Sequence, residues 1–186
     1  MVIIVTGAVG IGKTTVCDKV IKIARSQGYS CGGIIAHKAQ NEDIIIEDVQ
    51  TGETKALASI SNIYQGAHTG KYFFNPEGID FGTQAIAKGT ASDILMVDEL
   101  GPLELSGEGF AKVIEQIAAG KVKNCIIVIR KDLLSAFLPQ LGTTTTSIFE
   151  TTIDNRNQLP GEISLTLIQV GAGLKPAPTN AMTTGL

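Results

Sequence analysis

Short runs of apolar residues alternate along this chain with segments of helical periodicity. Residues 2–6 form an apolar, β-branched run that ends at a glycine cluster. Such a run is typical of a strand buried on both faces of a parallel sheet. From Lys13 to about Gln27 the apolar residues recur at helical spacing, and Gly28 follows as a stop. The pattern predicts a strand that leads through a short loop directly into a helix.

The same alternation continues to residue 169. Strands are predicted at residues 31–36, 43–49, 71–74, 93–97, 124–129 and 146–149, and helices at 76–88, around 110–119, at 132–138 and after Pro160. The polar residues 51–53 predict a turn, and with it a small antiparallel insert. Residues 59–70 show no clear periodicity. Strands that alternate with helices predict an α/β fold around a mostly parallel central sheet.

The composition is that of a soluble globular protein and excludes several other classes. The chain has 186 residues, of which 44% are hydrophobic and 18% charged, with a net charge of −3. These values are typical of one soluble domain and give no electrostatic support for nonspecific nucleic-acid binding. No apolar run reaches the ~20 residues of a membrane span, so we expect a cytoplasmic protein. Residues 170–186 contain almost nothing to bury and predict a disordered tail after a domain at 1–169.

A phosphate-binding motif occupies the predicted turn between the first strand and the first helix. Gly7-Ala8-Val9-Gly10-Ile11-Gly12-Lys13-Thr14 matches G-x-x-x-x-G-K-[ST] in full, and Thr15 follows it. Backbone N–H groups and the positive end of the helix can cradle a polyphosphate here. Lys13 is placed to reach the β- and γ-phosphates, and the Thr14 hydroxyl to bind Mg²⁺. The motif predicts a site for ATP or another nucleoside triphosphate at residues 7–15.

Two acids follow the predicted strand at residues 93–97. Asp98 stands where P-loop enzymes carry a magnesium-binding carboxylate, at the end of a strand that we expect to neighbour the loop strand. Glu99 can orient a water or accept its proton, which a hydrolase requires. The pair therefore favours hydrolysis over phosphoryl transfer.

Three further charged residues are candidates of lower specificity. Arg130 ends the strand after the acidic pair, from where a cation could stabilise charge on the γ-phosphate, and we count it with Glu99 and Lys13 as catalytic. Arg156 is an alternative for the same role. Glu104 could bind a water, but an acid at that place is expected to face solvent.

The loop at residues 7–15, together with Val97-Asp98-Glu99-Leu100-Gly101-Pro102-Leu103-Glu104-Leu105, resembles the small cytosolic nucleoside-triphosphatases of the thermophilic phosphohydrolase and cancer-related type. Gly32-Gly33, Thr51-Gly52-Glu53, Gly70-Lys71-Tyr72 and Asn155-Arg156-Asn157 extend the similarity over roughly residues 1–169. The resemblance implies a three-layer, RecA-like P-loop domain and slow, Mg²⁺-dependent hydrolysis of several nucleoside triphosphates to the diphosphate and phosphate. Residues 35–41 depart from the arginine-bearing pattern usual in that family.

Two other functions are compatible with the same motifs. In a nucleotide or small-molecule kinase, Asp98 or Glu99 would activate an acceptor hydroxyl, and an arginine-bearing lid would exclude water. No such arginine-rich segment is evident. In a nucleotide-dependent switch or RNA-associated protein, hydrolysis would only time the release of a partner. The preferred base and the oligomeric state have no signature in the sequence.

Overall fold

The computed structural model describes residues 1–170. Strands alternate with helices in most of the chain, but β2 to β6 follow one another without an intervening helix. The strands are β1 Val2–Gly7, β2 Cys31–Lys38, β3 Ile44–Asp48, β4 Thr54–Ser59, β5 His68–Thr69, β6 Tyr72–Phe74, β7 Ile94–Leu100, β8 Cys125–Arg130 and β9 Thr146–Glu150. The helices are α1 Lys13–Ser26, α2 Pro76–Gly89, α3 Pro102–Leu105, α4 Lys112–Ala118, α5 Leu134–Phe137 and α6 Leu159–Val170. The predicted tail at 170–186 lies outside the described residues except for its first residue, which ends α6.

All nine of these strands form one sheet in the order β5-β6-β4-β3-β2-β7-β8-β1-β9. The strands from β2 to β9 in this order are parallel, and β3, β4, β6 and β5 extend the sheet from β2 as antiparallel strands. The predicted α/β, RecA-like fold is therefore confirmed. The expectation that the strand of the acidic pair neighbours the loop strand is wrong, because β8 lies between β7 and β1.

Helices cover both faces of the sheet and bury two separate clusters. On one face, α1 and α6 pack against β1, β7 and β8 through residues such as Val16, Val20, Ile163, Met96 and Val128. On the other face, α2, α4 and α5 pack against side chains that alternate with the first set. Because successive side chains of a strand point to opposite faces, fully apolar strands are required at the centre of these three layers.

Helix α2 packs on β2 with backbone close against backbone. A Cβ added to Gly89 at the end of α2 would lie 2.4 Å from the Gly33 nitrogen in β2, and one added to Gly32 would lie 2.6 Å from the Gly89 Cα. Neither position has room for a side chain. Helix α2 begins at Pro76. The side chain of the preceding Asn75 caps it by accepting a hydrogen bond from the Glu77 backbone N–H. Thus α2 lies directly on β2, the strand at which the sheet changes from parallel to antiparallel.

The end of β7 contains one extra residue relative to its neighbour. Val97 pairs with Ile127 in β8, whereas Leu100 pairs with Ile129, so three steps in β7 match two in β8. Leu95, Val97 and Leu100 consequently all face the same cluster. The extra residue falls at Asp98-Glu99, a pair joined by a cis peptide bond. A bulge of this kind re-aims the side chains around it.

Several local predictions differ from the structure in their details. The segment predicted as a helix at 132–138 is a one-turn α5 between two 3-10 turns. The unassigned residues 59–70 contain the short strand β5, and the predicted antiparallel insert has four strands rather than one hairpin. No helix within residues 1–170 combines the length and the apolar composition that crossing a lipid bilayer requires.

Candidate active site

The loop between β1 and α1 lies at the carboxyl edge of the parallel sheet, as the sequence motif predicts. Gly12 caps α1 with φ of 106°, a left-handed conformation that favours glycine. Gly7 ends β1, where a Cβ would meet the Thr151 carbonyl oxygen at 2.7 Å. Both glycines are therefore required by the local backbone. The α1 N-terminus has no side-chain cap, which leaves its N–H groups available to an anion.

The side chain of Lys13 is buried under this loop, with 6% of it exposed. Its Nζ donates hydrogen bonds to the carbonyl oxygens of Ala8 at 3.0 Å and Gly7 at 3.2 Å. Within residues 1–170 the ammonium forms no ion pair, so its positive charge is available to a bound phosphate. Burial raises the pKa values of Asp98 and Glu99, and the positive charge of Lys13 opposes this rise at both carboxyl groups.

The carboxyl group of Asp98 is buried on the α1 side of the sheet. Burial raises its pKa to about 7, and the facing Thr14 hydroxyl lowers it in part. Its Oδ2 atom is buried without a hydrogen-bond partner in the described part of the chain. Such an orphaned oxygen is costly unless it serves a ligand. Thr14 and Asp98 therefore form the pair that the sequence predicted at the metal position, despite the strand between β1 and β7.

Glu99 lies on the other side of β7 from Asp98, and it is half-buried. Burial raises the pKa of its carboxyl group, while the charges of Lys13 and Arg130 lower it. The side chain lines a cavity that also contacts Val9 of the loop. This position, beside the loop and in reach of a small molecule, is suitable for a general base.

Arg130 ends β8 and lies next to the loop, because it pairs in register with Gly7 of β1. Its guanidinium donates to both carboxylate oxygens of Asp132, at 3.2 Å from Nε and 2.7 Å from Nη2. Asp132 therefore anchors the Arg130 side chain, which lines the same cavity as Glu99. The structure brings it to the site, as predicted.

Arg156 approaches the loop from the opposite side. A Cβ added at Gly12 would lie 3.9 Å from its Cδ and 4.0 Å from its Nη1. Arg156 and Gly12 line a small cleft with Thr15, Lys19 and Asn157. Reciprocal hydrogen bonds between Thr152 and Asn155 hold the turn that presents this arginine.

Glu104 does not face solvent, so the sequence expectation for this residue is wrong. It is 5% exposed, and its carboxylate accepts hydrogen bonds from the backbone N–H groups of Gly101 at 2.7 Å and Phe110 at 3.1 Å. These two bonds close the turn around α3, directly after the acidic pair. Glu104 is a positioning residue for the segment that follows β7, and nothing in its local sequence reveals its distant partner Phe110.

The structure thus brings together five of the residues proposed from the sequence. Lys13, Thr14, Asp98, Glu99 and Arg130 meet at one edge of the sheet, around the loop at residues 7–15. Arg156 was weighed only as an alternative, although Asn155-Arg156-Asn157 belongs to the segments that carried the resemblance. The aromatic residues Phe74 and Phe110 line the same cavity as Glu99. The sequence gives no indication of this, because the two residues belong to separate elements.

Comparisons with known proteins show which family this chain is similar to. The family model described as NTPase matches residues 2–164. Nucleoside-triphosphatase THEP1 of Methanosarcina barkeri is 33% identical over 168 residues, which cover 87% of this chain and 94% of that protein. Nucleoside-triphosphatase THEP1 of Thermococcus kodakarensis is 29% identical over 163 residues, covering 83% and 87%.

Two solved structures have the same fold. The crystal structure of THEP1 from the hyperthermophile Aquifex aeolicus aligns with a TM-score of 0.71 at 22% identity, covering 90% of this chain and 99% of that one. The solution structure of a human cancer-related nucleoside triphosphatase aligns with a TM-score of 0.70 at 18% identity, covering 93% and 98%. At these identities the likeness concerns the fold.

Proposed function

This chain belongs to the NTPase family, and from that premise we propose that it binds a nucleoside triphosphate with Mg²⁺ and hydrolyses it to the diphosphate and phosphate. The observation that carries the proposal is the meeting of a complete phosphate loop with the buried Asp98 and the half-buried Glu99 of β7. Relatives of similar length are named nucleoside-triphosphatases, which supports hydrolysis as the reaction.

The orientation of the nucleotide follows from the charges around the loop. The two acids and Arg130 lie on the β7 and β8 side, so the γ-phosphate is placed there, next to Lys13. The nucleoside then extends towards Gly12 and Thr15, where the cleft lined by Arg156 begins. We assign Arg156 to the α-phosphate or ribose end and Arg130 to the γ-phosphate end.

The residues present fit a magnesium ion bound together with the nucleotide. Thr14 supplies a hydroxyl and Asp98 a carboxylate whose Oδ2 has no partner among the described residues, and both are hard oxygen ligands. In the part of the chain that the structure describes, no group of three or more His, Cys, Asp or Glu side chains could hold a metal alone. Phosphate oxygens would complete such a site, as is usual for Mg²⁺. When bound, Mg²⁺ supplies positive charge to the β- and γ-phosphate oxygens.

The chain's own residues then account for the chemical step. A water attacks the γ-phosphorus, Glu99 orients it and accepts its proton, and the bond to the β,γ-bridging oxygen breaks. Lys13 and the loop N–H groups stabilise the charge on the phosphates. Arg130 is held beside Glu99 by Asp132, at the end where charge develops. The step therefore requires no residue outside the site described.

The test is phosphate release by the purified protein with ATP and GTP, with Mg²⁺ and after its removal by a chelator. We expect release only with Mg²⁺, and a loss of about 100-fold or more in Lys13→Ala because a preorganised charge is removed. Lys22→Ala, an exposed lysine on the same helix, serves as the matched control and should retain activity. Equal release by Lys13→Ala and the wild type would exclude this site.

A further inference from the structure

A cavity of about 470 Å³ lies beside Glu99, on the side of β7 away from α1. Its walls come from β2, β3, β4 and β6, from the turn around α3, and from Arg130 at the end of β8. Small-molecule sites typically measure roughly 300–1,000 Å³. The cavity is therefore large enough for a ligand of its own.

Hydrolysis as proposed uses only the end of this space beside Glu99 and Arg130. One water accounts for about 30 Å³ in the liquid. The nucleoside is assigned to the cleft beside Gly12 and Arg156, which shares no lining residue with the cavity. A site built only for a triphosphate and water would leave several hundred cubic ångströms next to the base unexplained.

The walls have the chemistry of a ring-binding site. Leu57 and Phe110 are each 5% exposed, and the partly buried Ile44 and Phe74 pack with them. Apolar and aromatic side chains of this kind bind planar rings through their faces and edges. Glu104, which also lines the cavity, is already occupied by two backbone N–H groups. Among the described residues, Glu99 has no hydrogen bond or ion pair, so its carboxylate is the group able to receive a proton from a ligand.

The wall of this cavity near β2 and β6 carries a local excess of positive charge. Lys38 and Lys71 line it, and both contact the carboxylate of Glu42, with Lys38 Nζ at 2.8 Å. The two lysines lower the pKa of Glu42 to about 2, so that this acid stays ionised. Two cations against one anion leave one positive charge, which favours a ligand with an anionic group.

We propose that the cavity binds an alcohol that carries a planar ring and an anionic group, and that the protein transfers the γ-phosphoryl group of the bound nucleotide to its hydroxyl. This inference rests on the proposed nucleotide site. The hydroxyl oxygen forms a bond to the γ-phosphorus as the bond to the β,γ-bridging oxygen breaks. The nucleoside diphosphate leaves with that electron pair, and the hydroxyl proton passes to Glu99. Water takes the place of the alcohol when none is bound.

The test measures how the γ-phosphoryl group partitions between water and alcohol. ATP labelled at the γ-phosphate is incubated with Mg²⁺ and either 4-(hydroxymethyl)benzoate or a nucleoside 3′-monophosphate, and labelled phosphate and labelled ester are separated. Benzyl alcohol, which lacks the anionic group, is the comparison. We expect ester with the anionic alcohols, and at least tenfold less with benzyl alcohol at equal concentration.

Two variants connect the transfer with the cavity. Ala36→Phe places a ring into the space from β2, and we expect the ratio of ester to free phosphate to fall at least tenfold. Ala56→Phe makes the same exchange at an exposed position of β4 outside the cavity, and the ratio should not change. Phosphate release without any ester would overturn the inference while leaving hydrolysis in place. Ester formation that Ala36→Phe does not reduce would also overturn it, and the absence of both products would overturn hydrolysis as well.

Discussion

The Thr14 hydroxyl faces the buried carboxyl group of Asp98, although the strands that lead to these residues are separated by β8. The contact is made across the carboxyl edge of the parallel sheet, where α1 begins and β7 ends. Because the separating strand carries Arg130 at the same edge, the arrangement adds a cation between the loop and the acids. The strand order β1, β8, β7 therefore sets the phosphate loop, the Arg130 cation and the two acids side by side at one edge. All three can act on a single phosphate group there.

The first prediction concerns the base. Glu99→Gln keeps the size of the side chain but cannot accept a proton, so phosphate release should fall by about 100-fold or more. Nucleotide affinity, measured with a fluorescent analogue, should stay within about threefold of the wild type. Glu108→Gln, an exposed glutamate nearby, should behave as the wild type in both assays. Unchanged phosphate release in Glu99→Gln would assign the base to another group.

The second prediction separates the two arginines. Arg156→Ala should raise KM about 10- to 150-fold with little change in kcat, because a charge-assisted contact of about 1.5–3 kcal/mol to the nucleoside end is lost in ground and transition states alike. Arg130→Ala should lower kcat about tenfold or more with little change in KM. Steady-state kinetics over a range of ATP concentrations measure both values. The reverse pattern would mean that the nucleotide lies in the opposite direction.

The third prediction concerns the turn after β7. In Glu104→Gln one of the two backbone N–H groups faces an NH₂ group instead of an oxygen, and leaving a buried donor unpaired costs about 1–3 kcal/mol. The urea midpoint should fall accordingly. The exposed Glu108→Gln provides the baseline. A Glu104→Gln protein as stable as this control would show that the two hydrogen bonds contribute nothing to folding.

The fourth prediction is a pH dependence of stability. Burial raises the pKa of the Cys125 thiol to about 12 from an ordinary value of 9.0. Between these values the folded chain keeps the proton that the unfolded chain loses, so the free energy of unfolding falls as the pH rises above about 9. From pH 8 to pH 10, the wild type should lose roughly 1.4 kcal/mol more than Cys125→Ala.

Urea unfolding at the two pH values measures this difference. Val2 pairs with Cys125 in the sheet and is equally buried, so Val2→Ala also removes buried apolar volume but no titrating group. Its dependence on pH should equal that of the wild type. If Cys125→Ala and Val2→Ala lose the same free energy between pH 8 and pH 10, the thiol does not titrate as stated.

Local features of this molecule were predictable from the sequence, and long-range ones were less so. The loop at residues 7–15 is recognisable because strand, glycines, lysine and helix are consecutive in the chain. The separation of β1 and β7 was not predictable, because strand order depends on packing between distant segments. Glu104 was misjudged for a similar reason, since one of its two partners lies six residues away in a turn without periodicity.

Some expectations stay predictions after the structure is known. The roles of Lys13, Thr14, Asp98, Glu99 and Arg130 follow from their positions, and only the experiments above test them. The domain boundary at residue 169 likewise remains a prediction. Side chains around the cavity, such as Phe74 and Phe110, come from elements whose contact the sequence does not show. Sites assembled from distant elements are therefore the part of this protein that needed a structure.

The additional residue in β7 explains how its last leucine stays in the apolar cluster after two consecutive acids that serve different partners. Asp98 faces Thr14 on the α1 side, whereas Glu99 lines the cavity on the other side of β7. With regular alternation Leu100 would leave the apolar cluster that it shares with Val97. The irregularity thus lets the strand present opposite sides at its tip without exposing its last leucine. The proposed magnesium ligand and the proposed base therefore reach one phosphate group from two sides of the strand tip.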